Sequence, residues 1–537
     1  MARLFNEPEL RGKDPVWILE VTIGGHAYRF ATETVTIEND GSDLTYEGTL
    51  SGVDFGSELA FGAVEFEIPT AQVTVVFSDD IAIWIARGAD FGAATAELAL
   101  WIPGEDYDDR RVVVRGGVQS PSYGGLGEAV GFSIEPDWMA AKRQIPGADQ
   151  VIASDQWPAL DPNCEGKTYP LIIGAPGREG FMGSPGYVID DGTSIGTSGS
   201  IKLMLAGHRV HAASVDVKDQ DGNLYAAKNI NEESDPNGNV FSWIRLTAPE
   251  YTAGNSYFVS WISGGGMLNP FGVGVSNDLG DSPESYLTNG GDLVRYLLGV
   301  SGVRVDEGRT AAAAAQLNGI TFDGFLGERT DPLEFVIDEI GPLLPMSLLA
   351  GADGLFPVAW RYDARNEDAR ATLIADQDVF REGLVEYEKN PIENEITLRY
   401  RFNARFSEVY KATTITGDDS KTMSGLQWRN DYSAASFTRY GTRAAEYETE
   451  FISRRASAGR VLGWMIRANA FRRRSVAYSA PVKFAWLNVG DIVAITDPEI
   501  SFNQQLMMIR RIDWAETDLS FEFLLIPDLP RDTIPLG

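Results

Sequence analysis

The stretch Ala485-Trp-Leu-Asn-Val-Gly-Asp-Ile-Val-Ala-Ile-Thr-Asp-Pro498 constrains the fold more than any other part of the chain. Leu487 and Val489 point to one side as a short buried loop, Gly490-Asp491 makes a turn, and Ile492-Val-Ala-Ile-Thr496 is a β-rich run of strand length. Asp497-Pro498 closes that strand, because proline has no N–H to donate to a continuing ladder. Two further strands are predicted behind it, over 505–514 and 519–526. A turn feeding three short strands implies a sheet that must close or pack against another layer.

A chain of 537 residues exceeds what one hydrophobic core holds, so several domains are expected. The composition, with 56 glycines, 26 prolines and 11% aromatics, suits many short strands joined by tight turns. The pattern divides the chain into four parts and predicts a mainly β, multidomain protein with one α+β domain. Residues 1–140 read as a β-barrel-like domain. Its first two strands, 16–23 and 26–31, flank Gly24-Gly25, the spacing of a two-residue hairpin with positive φ at both turn positions. Further strands are predicted at 44–50, 72–77, 96–101, 112–118 and 129–134; 80–87 reads either as a strand or as a short helix capped by Asp79 or Asp80.

Residues 141–290 form a β-rich domain, with a strand in Lys167–Gly177 and others at 201–205, 214–218, 240–246 and 257–262. The Gly264-Gly-Gly266 run and the polar segment after it read as an exposed loop or linker. Residues 291–385 form the α+β domain. Helices are predicted at 292–298 and at the alanine-rich 310–317, and a third starts at Asp331-Pro332-Leu-Glu334, with Asp as N-cap and Pro at the first helical position. Asp353-Gly354 signals a hairpin. Residues 386–537 form a C-terminal β-barrel domain with one internal helix over 453–470, whose inner side carries Ala456, Val461, Leu462, Met465 and Ile466.

The formal net charge of −32 opposes duplex DNA binding by phosphate neutralisation, although it suits a surface past which DNA slides without sticking. Cys164 is the single cysteine, so neither an internal disulfide nor a thiolate cluster can form. No secretion signal and no membrane-spanning segment is expected.

Several short motifs resemble catalytic or binding sites, and each lacks a part. Gly192-Thr-Ser194-Ile-Gly196 has the G-x-S-x-G spacing, but loop residues follow where a helix should, and the chain has only three histidines. Gly166-Lys167-Thr168 resembles the end of a phosphate loop, but Asp161 occupies the position of its first glycine. His208 and His211 on a strand point to opposite faces. Asp219-Gln-Asp-Gly-Asn223 resembles a calcium loop, but Val217 and Lys228 stand at the end ligand positions, leaving a hairpin loop. The acidic pairs 79–80, 108–109, 190–191 and 418–419 read as loop charges. No catalytic residue, cofactor or metal is therefore expected, and the protein is expected not to be an enzyme.

The basic segment is the exception to the acidic balance. Arg439, Arg443, Arg454, Arg455, Arg460, Arg467, Arg472, Arg473 and Arg474 lie within 36 residues, opposed by Glu446, Glu448 and Glu450. Intramolecular pairing with the acidic domains explains them; so does an assembly interface for an acidic neighbour or a second copy, and nucleic-acid binding ranks last.

Three stretches carry a resemblance: Ser436-Phe-Thr-Arg-Tyr-Gly-Thr-Arg443, the helix with Ala458-Gly-Arg-Val-Leu-Gly-Trp464, and Leu487–Pro498. With the looser Tyr46-Glu-Gly48, Leu98–Trp101, Gly116–Tyr123 and Lys167–Gly177 stretches, their order resembles the baseplate hub and tail tip proteins of long-tailed phages. That resemblance implies a structural virion protein made in the host cytoplasm: a homotrimer at the distal end of the tail, joining the sixfold tail tube to the tip. It implies tail tube proteins, tip fibre or spike proteins and the tape measure protein as partners, with DNA passing through the channel unbound. Some members of the family carry an added peptidase or lysozyme module, and none is expected here, since the sequence stops directly after the last barrel. A receptor- or carbohydrate-binding tail adhesin is the competing class.

Overall fold

The computed structural model describes residues 14–526, apart from 60–69, 77–87, 89–92, 124–128, 137–142, 179–180, 193–199, 226–229, 248–252, 273–284, 362–363, 416–426 and 515–517. The protein is mainly β, with its longer helices confined to two stretches, 290–340 and 427–469.

The strands Val16–Ile23 and His26–Ala31 pair antiparallel from Ile23↔His26 outward, and Gly24 and Gly25 take φ of 57° and 84°. The glycine pair thus provides the positive-φ turn that the hairpin twist demands. This hairpin lies at one side of a 14-stranded sheet. Across the sheet follow Thr95–Trp101, Arg111–Tyr123, Ala129–Pro136, Ala71–Val76 and Leu50–Glu58, then the C-terminal strands Phe502–Trp514, Asp518–Leu525 and Arg474–Pro481. The first and last parts of the chain therefore lie side by side in one sheet. They join where Leu50–Glu58 pairs antiparallel with Phe502–Trp514, in the register Glu58↔Arg511, Ser57↔Ile512, Gly56↔Asp513 and Phe55↔Trp514. One core runs beneath both halves, from Trp17, Leu98 and Ile134 to Tyr478, Ile509 and Phe523. Trp17 and Trp514 meet edge to face across it, with ring centroids 5.8 Å apart.

Ile492–Asp497 joins this sheet through Phe502–Trp514, and on its other side it pairs in parallel with Ala371–Ile374. The preceding turn is as read from the sequence. Gly490 has φ +89°, and its N–H donates to Ile509 O at 2.8 Å. Asp497 caps the short turn after the strand by accepting from Glu499 N.

A second, seven-stranded sheet contains Val210–Asp219, Tyr257–Met267, Ser184–Asp190, Ser200–Ala206 and Val240–Thr247 as its longer strands. The Gly264–Gly266 run belongs to the strand Tyr257–Met267 and is not a linker. Gly265 lies against the ring of Tyr286 and Gly266 against Ile172 O, too close to leave room for a Cβ at either position. The glycines are there for close backbone approach, which composition alone does not separate from loop flexibility.

Helices Gly290–Val300 and Glu307–Leu317 pack with the hairpin Met346–Gly351/Gly354–Ala359. The cap at Asp331 is as expected, its side chain accepting from Leu333 N and Glu334 N. The helix it starts keeps α geometry for only Pro332–Phe335 before widening into a π turn.

The C-terminal part holds two helices where one was expected. Arg455–Asn469 is the predicted helix and buries Val461, Leu462, Met465 and Ile466, with Ala456 only partly covered. Gln427–Tyr440 is the second. Its buried positions include Ser433 and Ser436, which donate to Asn394 O and Ala470 O, so it shows no apolar stripe. The ambiguous segment at 80–87 lies outside the described residues.

Truncating Trp514→Ala at the seam should cost about 3–5 kcal/mol, because it opens a cavity under both halves of the sheet. Urea unfolding followed separately by near-UV circular dichroism and by hydrogen exchange at 16–23 should show both ends of the chain losing protection together.

Candidate functional site

The arginine-rich segment is divided by the fold. Arg454 precedes helix Arg455–Asn469 and points inward, with Nε 3.3 Å from Asp323 Oδ2. Asp323 is fully buried and also accepts from Ala175 N at 2.7 Å and the Ser453 hydroxyl at 2.5 Å. One carboxylate therefore ties the second sheet's entry segment, the helical unit and the start of the C-terminal helix together. Arg460 donates to Gly319 O at 2.8 Å. Arg473, at 12% exposure, lies 3.5 Å from Glu388 and donates to Ala468 O and Asn469 Oδ1. These three are committed within the subunit. Arg467 and Arg474 are half-buried, while Arg439, Arg443, Arg455 and Arg472 are exposed. Arg439 lies in the last turn of Gln427–Tyr440, where the helix dipole favours a cation.

Arg510 lies outside the arginine-rich segment and gathers three carboxylates around it. Its guanidinium lies 3.0 Å from Glu58, 2.6 Å from Glu388 and 3.2 Å from Glu522. These carboxylates come from three distant stretches of chain, and no local signal links them.

The other sequence motifs resolve into structural roles where they are described. Asp161 caps the turn Pro162–Cys164, accepting from Asn163 N and Gly254 N, both at 2.8 Å. Thr168 donates to Gly327 O. Burial pushes the Cys164 thiol up to about 11, which keeps it protonated. Ser194 and the pairs at 79–80 and 418–419 lie outside the described residues. Asp108 is exposed beside Arg110, and Asp190 lies 3.7 Å from Arg245.

Asp219 is buried at the base of its hairpin, accepting from Asp221 N, Asn223 N, Asn223 Nδ2 and the Tyr225 hydroxyl. Asp235 repeats the arrangement in Asp235-Pro-Asn-Gly-Asn239, accepting from Asn239 N, Asn239 Nδ2 and the Tyr169 hydroxyl. Burial opposes charge on both carboxylates, yet these hydrogen bonds outweigh it and hold their pKa values below the usual range. The shared D-x-x-G-N spacing was readable in the sequence as one loop used twice. Among the described residues, no group of three or more His, Cys, Asp or Glu is placed to hold a metal ion.

His208 and His211 do not converge. His211 tilts against Tyr286. His208 accepts from Ile172 N through Nε2 at 2.9 Å, while Nδ1 lies 2.8 Å from Arg209 O, so the neutral ring satisfies both partners. Burial lowers its pKa to about 4.

Residues 427–512 match the family model Phage-tail_3, described as a putative phage tail protein. The match is to phage tail proteins. It spans helices Gln427–Tyr440 and Arg455–Asn469, the Gly490 turn, and Phe502–Trp514 as far as Ile512, so it covers all nine arginines. The resemblance to phage tail proteins read from the sequence is present in this segment. No curated protein matches the chain.

Among solved structures, a tail protein from Neisseria meningitidis MC58 is 10% identical, over 96% of this chain and 98% of that one, with a TM-score of 0.34. The 43 kDa tail protein of prophage MuSo2 from Shewanella oneidensis is 8% identical, over 96% and 99%, with a TM-score of 0.33. The prophage tail protein gp18 from Listeria monocytogenes EGD-e is 10% identical, over 60% and 84%, with a TM-score of 0.24.

Two outcomes follow from these sites. Asp323→Ala should cost about 3–5 kcal/mol, because it leaves Arg454 without its buried counter-charge and Ala175 N–H and the Ser453 hydroxyl without their acceptor; chemical denaturation measures it. For His208, the unfolded imidazole protonates near 6.5 and the folded one near 4. The unfolded chain therefore binds the proton first, and stability is lost as pH falls from about 6.5 toward 4. In His208→Gln, whose amide oxygen can accept from Ile172 N–H, the fall in urea midpoint across that window should be shallower than in the wild type.

Proposed function

We propose that the protein is a structural component of a phage tail, acting as the hub at its distal end, where it joins the sixfold tail tube to the tip and lines part of the DNA ejection channel. The observation that carries the reading is the phage tail family match on the helix-and-strand segment 427–512. The joined sheet supports it, since strands from the two ends of the chain form side-by-side β units within one subunit. Three such subunits present six β units, which matches a threefold ring to a sixfold tube. The net charge of −32 suits a channel wall that repels phosphate.

In this reading the protein is a homotrimer with a mechanical role and no catalysis, and its neighbours are tube, tip and tape measure proteins. The exposed arginines Arg439, Arg443, Arg455 and Arg472 serve as the assembly face, while Arg454, Arg460 and Arg473 serve folding.

Reversing the four exposed arginines to glutamate should abolish the trimer in light scattering while leaving the urea midpoint close to wild type. Arg473→Glu should instead lower the midpoint. A wild-type protein that stays monomeric at micromolar concentration and in assembled tails overturns the hub reading. A serine-directed phosphonate probe that labels the wild type and not Ser194→Ala overturns the non-catalytic one.

A further inference from the structure

A cleft of about 430 Å³ opens where the N-terminal strands, the helical unit and the C-terminal strands meet. Phe55, Arg110, Arg111 and Val113 line it from the N-terminal strands, Asp306, Arg309 and Phe356 from the helical unit, and Trp486, Asn488 and Trp514 from the C-terminal strands. Its polar groups are arranged unusually for a strongly acidic protein. Arg111 Nη2 donates to Asn488 Oδ1 at 3.0 Å, and Arg309 Nη2 donates to the same oxygen at 3.3 Å. Two guanidiniums thus converge on one neutral amide oxygen. Each lies over an aromatic ring, Arg111 over Trp514 at 5.0 Å and Arg309 over Phe356 at 4.6 Å. Arg111 is anchored further by Ala485 O and Leu487 O. Asn488 is fixed by its own N–H to Asp491 and by Nδ2 to Trp486 O.

We propose that this cleft is a receptor site for a carboxylate presented by a protein partner, an Asp or Glu side chain on an acidic segment. Arg309 offers a planar guanidinium for a carboxylate to pair with, and Arg111, held behind it by Ala485 O, Leu487 O and Asn488, adds the attraction of its charge without a direct contact. The aromatic walls at Phe55, Phe356, Trp486 and Trp514 suit the methylenes of a side chain.

The charges at the cleft favour a monoanion over a dianion. Arg110, Arg111 and Arg309 line it against Asp306 and Asp353. Arg110 is engaged by Glu97 at 2.8 Å and Asp306 lies 3.4 Å from Arg309, so the excess positive charge is small and a doubly charged phosphate would meet the two aspartates. The field at Arg111 agrees with this: burial lowers its pKa to about 9, and the neighbouring Arg309 charge lowers it further than the Asp491 carboxylate restores it. A carboxylate seated against Arg309 would relieve that repulsion. It would also touch the N-terminal strands, the helical unit and the C-terminal strands, so occupancy would stiffen the junction.

The test uses the full chain in whatever oligomer it forms and needs no tail, so it succeeds or fails separately from the hub reading. Isothermal titration calorimetry is run with an acetylated, amidated tetraglutamate peptide, with the tetraglutamine analogue, and with inorganic phosphate, all at one ionic strength. The site predicts that the glutamate peptide binds, that the glutamine analogue does not, and that phosphate competes poorly. Arg309→Gln, at a partly exposed position, should weaken the peptide about tenfold, the scale of one charge-assisted contact, and Arg309→Lys, which keeps the charge, should weaken it less. Arg209→Gln, which pairs with Glu232 at an exposed site on the second sheet away from the cleft, should leave binding as in the wild type. Absence of peptide binding, equal affinity in Arg309→Gln, or tighter binding of phosphate than of peptide overturns the proposal.

Discussion

Glu58 and Arg511 stand opposite each other where the first and last parts of the chain become one sheet, and the large core exists only because that register is kept. The partners are far apart in sequence: Arg510 reaches Glu58 across 452 positions. The entropy of closing so long a loop grows only slowly with its length, so the pairing is set by what it buries. Phe55, Ile512, Trp514 and Trp17 supply that burial. Arg510 supplies the charge balance, since Glu58, Glu388 and Glu522 would otherwise repel one another at the same place. A partly buried cation with three anions is favourable only while all of them stay in place, which makes the seam cooperative.

A second buried charge does for the interior what Arg510 does for the seam. Asp323 accepts from Ala175 N, the Ser453 hydroxyl and Arg454, and so fixes where helix Arg455–Asn469 begins relative to the second sheet. That helix lies in the phage tail family segment. The position of the segment within the molecule therefore depends on residues outside it. The cleft at Arg111 and Arg309 depends on long-range packing too, because its walls come from three of the four parts of the chain.

Some of this was readable before any fold was known, and the readable parts are local. Gly24-Gly25, Asp331-Pro332, Asp353-Gly354 and Gly490-Asp491 each set a turn or a cap through a few adjacent residues, and each makes the expected element. Helix Arg455–Asn469 showed its apolar stripe. Helix Gln427–Tyr440 did not, because serines bonded to main-chain carbonyls occupy its inner side. Gly264–Gly266 looked like a linker because a glycine needed for close contact and one needed for freedom have the same letter.

The sequence by itself determined the β-rich class, the turns and caps, and the acidic balance, since all of these depend on residue type and near neighbours. The tertiary structure alone decided that the two ends share a sheet, that Arg454, Arg460 and Arg473 turn inward while Arg439, Arg443, Arg455 and Arg472 face solvent, and that Arg111 and Arg309 meet at Asn488. The physical reason is that an arginine carries the same charge wherever it stands. Whether that charge folds the chain or meets a partner depends on which carboxylates and carbonyls distant segments bring within about 3–4 Å of it.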